Sequence, residues 1–71
     1  MKTTPTHTAK LVLKNALGAG HDNMVNAFVD TQFPKAWRER CTEAQLVGWI
    51  REAQDFLLAE IAEQIVAGTR H

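Results

Sequence analysis

Cys41, His21-Asp22 and the run Gly18-Ala19-Gly20 are the residues of this chain whose types could carry chemistry. Cys41 follows Arg38 and Arg40 and stands just before a helix start, features that lower a thiol's pKa and favour a nucleophilic thiolate. No general base lies beside it in the sequence, so Cys41 is expected to be a packed, inert thiol paired with Trp37. His21-Asp22 would make an acid–base pair, but neighbours on a helix point about 100° apart. His21 is read instead as a histidine at the edge of an apolar seam. Gly18-Ala19-Gly20 lacks the spacing and the Gly-Lys-Ser/Thr ending of a phosphate-binding loop, and no strand precedes it. His7, His21, His71 and Cys41 are scattered and do not have metal-ligand spacing. The chain is therefore expected not to be an enzyme, and to need neither metal nor other cofactor.

A second reading of the glycine run is a helix-turn-helix. Leu17-Gly18 matches the usual leucine-glycine turn and places Leu13 and Met24 at apolar positions, but Lys14 falls where a small residue is wanted. The would-be recognition segment His21–Asn26 contains an acid and no Lys or Arg. Asn23 and Asn26 can read base edges, yet phosphate contacts supply most of a DNA reader's affinity. DNA-binding regulation is thus the alternative function and nucleic acid is not the expected partner.

A compact basic–aromatic segment, Lys35, Trp37, Arg38 and Arg40, offers binding chemistry of another kind. Trp and Arg are favoured anchors of protein interfaces, so these four residues are the candidate partner-binding site. Trp37 plugging the end of a helical bundle is the structural alternative.

The elements that must position these groups follow from periodicity. Thr8 is a suitable N-cap for a helix from Ala9, leaving residues 1–8 as a flexible tail. Leu13, Leu17, Met24 and Phe28 fall within about 60° of one another on a helical wheel. That phase does not reset across the glycines, which predicts one helix from about 9 to 30, bent at Gly18–Gly20. Gly20, on the seam's edge, would then admit a bulky neighbour. Phe33-Pro34 ends the helix, and Pro34 suits the first position of a new one. Lys35 to Cys41 would add a turn or two, with Trp37 and Cys41 on one side. Thr42-Glu43-Ala44-Gln45 reads as a capping box, and no breaker follows until Gly68, a suitable C′ residue. The helix from 42 to 67 carries Leu46, Ile50, Ala53, Leu57 and Ile61, widened by Trp49 and Phe56 on one side and by Val47, Leu58 and Ile65 on the other. The Trp49/Phe56 side is the more polar at its far end. Glu60 and Gln64 interrupt the arc there.

This apolar arc of about 200° is wider than one neighbouring helix covers. A single 71-residue domain also buries only about 60% of its unfolded surface. With one cysteine and no metal site, self-association remains as the means of stabilisation. The expected architecture is all-α: a hairpin of two long helices joined by a short helix or turn, domain boundaries 9–67, a C-terminal tail 68–71, completed as an antiparallel bundle by a homodimer. Leu13, Leu17, Met24, Phe28, Leu46, Trp49, Ile50, Phe56, Leu57 and Ile61 are the expected self-association residues.

Net charge is zero, but it is unevenly spread. Residues 1–40 carry six Lys or Arg against Asp22, Asp30 and Glu39, whereas residues 41–71 carry Arg51 and Arg70 against Glu43, Glu52, Asp55, Glu60 and Glu63. Complementary rims of +3 and −3 fit halves, or copies, that pack together. Lys14 and Asn15 interrupt the first apolar run, so no signal peptide is read there. No stretch reaches the roughly 20 apolar residues of a membrane span. A free cysteine fits a reducing compartment, hence a cytoplasmic protein. The expected function is a small homo-oligomeric protein, of the kind bacteria and phages encode, that binds an unidentified protein target as adaptor, inhibitor or regulatory factor.

Overall fold

The computed structural model describes residues 4–69. It is all-helical, with helix α1 (Pro5–Leu17), helix α2 (Asp22–Gln32), a single 3-10 turn (Lys35–Trp37) and helix α3 (Glu43–Thr69). Three helices therefore replace the expected two.

α1 begins earlier than Thr8. Thr4 is the cap, its Oγ1 accepting the His7 N–H at 3.2 Å, and Pro5 occupies the first turn. Proline fits there because its missing N–H would have had no intrahelical partner. Residues 5–8 thus belong to α1, and the Thr8 hydroxyl donates to the Thr4 carbonyl at 3.2 Å. The remaining tail residues, 1–3, lie outside the described residues.

The continuous helix through the glycines is not formed. Gly18 and Gly20 have φ of 84° and 98°, left-handed values that a right-handed helix cannot hold and that glycine adopts without a Cβ penalty. Gly18 closes α1, donating its N–H to the Lys14 carbonyl at 3.0 Å. The apolar phase nevertheless persists across the break for a simple reason. The link from Gly18 to His21 has four residues, close to one helical turn, so a break of that length returns the pattern nearly in register.

The buried face of α2 also differs from the expected stripe. Val25 and Val29, followed at the same spacing by Phe33, are buried, while Met24 and Phe28, one residue earlier, are half-buried. They meet Ala9 and Leu13 of α1 and Ile50, Ala53 and Leu57 of α3 in one core.

Contacts set the helix directions. Phe28 of α2 packs against both Trp49 and Phe56 of α3, and Phe33 meets the Trp49 ring edge-on at 4.8 Å. Met24, earlier in α2, borders a hollow with Leu57 and Glu60, later in α3, so these two helices run antiparallel. Lys10 of α1 pairs with Asp30 of α2 at 2.7 Å, which sets those helices antiparallel as well. α1 packs on both neighbours, giving an up–down–up arrangement.

Phe33 is extended, with ψ of 130°, as a residue before proline should be. Pro34 caps the 3-10 turn rather than entering it. Because that turn stops at Trp37, Trp37 and Cys41 do not share a helix side. The capping box at the start of α3 is present: Gln45 N–H donates to Thr42 Oγ1 at 3.1 Å and Thr42 N–H to Gln45 Oε1 at 3.0 Å. α3 does not end at Gly68. That residue lacks the positive φ of a C′ glycine, and the helix continues to Thr69, so residues 68 and 69 are not tail.

At ~1.5 Å per residue α3 is about 40 Å long and α1 about 20 Å. Leu57 is the last buried residue of α3 and Ile61 is half-buried; side chains from Ala62 to Gly68 are exposed. The C-terminal part of α3 projects past the core of a molecule measuring 47 × 20 × 18 Å.

Candidate functional site

The basic–aromatic segment is built mostly into the fold. Arg38 follows the 3-10 turn, where its guanidinium donates to the Asp30 carbonyl near the end of α2. Its own carbonyl accepts the Thr6 hydroxyl of α1 at 3.0 Å. The first contact supplies a donor and a positive charge where the last carbonyls of α2 lack helical partners. Together the two tie the loop to both helices. Arg38 Nε is buried without a hydrogen-bond partner among the described residues. Trp37 packs against the core. Lys35 and Arg40 are exposed, so of the four candidate partner-binding residues these two have their charges turned to solvent.

The ten candidate self-association residues divide in the same way. Leu13, Ile50 and Leu57 are buried within one chain; Leu17, Met24, Phe28, Leu46 and Trp49 pack partly on that core. Ile61 is half-buried. Phe56 is exposed, its ring stacked on Phe28 at 5.4 Å. Between α2 and α3 this leaves an open aromatic groove lined by Phe28, Thr31, Trp49 and Phe56, with Glu52 on its rim.

Larger exposed apolar groups lie elsewhere. Leu58, Ile65 and Val66 are 44%, 62% and 50% exposed on α3, and Leu11 and Val12 are exposed on α1. Sequence reasoning placed Leu58 and Ile65 only at the arc's margin and left Leu11 and Val12 aside. The available signal was length: a 27-residue helix outruns partners of 13 and 11 residues.

Cys41 is half-buried in the loop before α3. His21 is the N-cap residue of α2, its side chain making no capping hydrogen bond, and His7 is exposed. No three His, Cys, Asp or Glu side chains come together as a metal-binding group among the described residues; His71 lies outside them. The Gly18–His21 turn does join two helices, as the helix-turn-helix alternative requires. α2 contains Asp22 and Asp30 and no Lys or Arg, and of its two asparagines Asn23 is exposed and Asn26 half-buried. No helix is long and apolar enough to cross a membrane among the described residues. Compared with known protein families, curated proteins and solved structures, the chain matches none.

Proposed function

We propose that this chain is a small self-associating helical protein that works by binding proteins, as an adaptor, inhibitor or regulatory factor, rather than by catalysis. One observation carries the reading: the projecting part of α3, with Leu58, Ile65 and Val66 at 44–62% exposure. Helices are marginal in water without tertiary packing of an apolar face. Burying a Leu, Ile or Val side chain fully contributes about 1.5–3 kcal/mol, so covering three half-exposed ones yields several kcal/mol for a partner surface. The wide apolar arc of α3 also exceeds what α1 and α2 cover. Light scattering at tens of micromolar is the test; a mass at least twice 7.9 kDa is expected. A folded monomer at all concentrations down to micromolar would sink the self-association reading.

The turn at Gly18–His21 favours DNA binding as the second reading, while the acidic surface of α2, with Asp22 and Asp30 and no Lys or Arg, weighs against it. A labelled duplex should show no anisotropy change even at low salt; salt-dependent binding would reverse the order of the two readings.

A further inference from the structure

The accessible surface of the molecule is 5336 Å². A compact monomer of 7.9 kDa exposes about 4,400 Å² by the size scaling of folded proteins. The excess of about 900 Å² matches the ~800 Å² that each partner gives to a stable interface of standard size. Radius of gyration leads the same way: 13.3 Å against about 11 Å for a compact chain of this length. The surplus goes with an elongated shape in which α3 outruns its neighbours, and it leaves surface that one further copy can cover.

Charge decides where that copy sits. α3 carries Glu43, Glu52, Asp55, Glu60 and Glu63 against Arg51. Among the described residues the ion pair is Lys10–Asp30, and none of these α3 carboxylates takes part in it. Laying α3 on a second α3 would juxtapose like charges. α1 offers the opposite sign: Leu11, Val12, Lys14 and Asn15 line a shallow hollow on it. On α3, from Asp55 beside the core into the projecting part, Asp55, Ala59, Ala62, Glu63 and Val66 fall within about 100° of helical arc, and four of these five line a second hollow. Small residues between acids let another helix approach closely.

We propose that two copies pair by reciprocal exchange. The Ala59/Ala62/Val66 face of each α3 rests on the Leu11/Val12 face of the other copy's α1, with Glu63 beside Lys14. A two-fold axis makes the contact twice and closes the pair. This rests on the self-association reading, of whose three exposed α3 residues it covers Val66, and adds a surface and a geometry.

Mixed-disulfide formation tests it. Two differently tagged chains, both Cys41→Ser, carry Leu11→Cys in one and Ala62→Cys in the other, and are mixed and oxidised. The hetero-disulfide is expected to dominate both homo-disulfides; a dominant Ala62→Cys homo-disulfide, or none at all from a dimeric chain, overturns the proposal. Separately, Leu11→Glu should raise the dimer Kd roughly tenfold or more with helical circular dichroism intact, since Leu11 is exposed. Lys14→Glu should weaken pairing several-fold, and Glu63→Lys on the same chain should restore it. A monomeric wild type overturns this proposal and the self-association reading together. A dimer indifferent to Leu11→Glu overturns the present one alone.

Discussion

At the scale of single residues, glycine substitutions separate backbone conformation from packing. Were Gly20 a spacing device on a helix seam, enlarging it would overpack a neighbour. A Cβ there meets nothing within 4 Å, but φ is 98°. Gly20→Ala should therefore lose about 1–2 kcal/mol through left-handed strain. Gly48 stands inside α3, also with open space around it and no positive φ, so Gly48→Ala should gain about 1 kcal/mol from helix propensity. Urea midpoints moving in opposite directions would check the pair. Arg38 is the second residue of consequence. Arg38→Ala removes the charged donor to the Asp30 carbonyl and should cost about 1.5–3 kcal/mol. Arg38→Lys should recover only part, because a point charge on a flexible stem does not reproduce the guanidinium fork. Denaturant titration of both variants reads this directly.

At the scale of elements, α3 owes its start to a local device and its middle to packing. The reciprocal Thr42–Gln45 bonds satisfy two amide donors that have no intrahelical partner. Thr42→Ala should lower stability by about 1 kcal/mol, measurable as a shift in thermal midpoint. The capping box was legible because both partners are only three residues apart. The start of α1 was equally local, since Thr4-Pro5 holds a cap and a first-turn proline, but a later threonine competed with it. The turn at Gly18–His21 was harder to read. Periodicity reports which side of a segment is apolar, and a link of about one turn leaves that signal unchanged.

For the whole molecule, three helices of unequal length make one end compact and leave the other as a projecting helix. That asymmetry coincides with the asymmetry of charge, acidic on α3 and basic before it. If the halves of two copies meet, raising salt from roughly 0.05 to 0.5 M, which shortens the Debye length from about 14 to 4 Å, should weaken the dimer several-fold. Sedimentation across that range would show it; a dimer strengthened or unchanged by salt would point to apolar contacts alone. The candidate sites were legible to different depths at this scale. Trp37 was recognisable by its type as a residue that could pack on the core, but Arg38 as a tie between α1 and α2 was not, because Thr6 and Asp30 approach it only after folding.

The amino-acid sequence by itself determined the all-helical class, the capping box, the break at Phe33-Pro34 and the opposed charges of the two halves. Each of these arises from residues adjacent in the chain or from composition alone. Tertiary structure decided that Val25, Val29 and Phe33, rather than Met24 and Phe28, form the buried face of α2. It also decided that the glycines turn the chain and that α3 outruns its neighbours. These depend on where helices meet in space, and an apolar residue's burial is set by the partner opposite it as much as by its own periodicity.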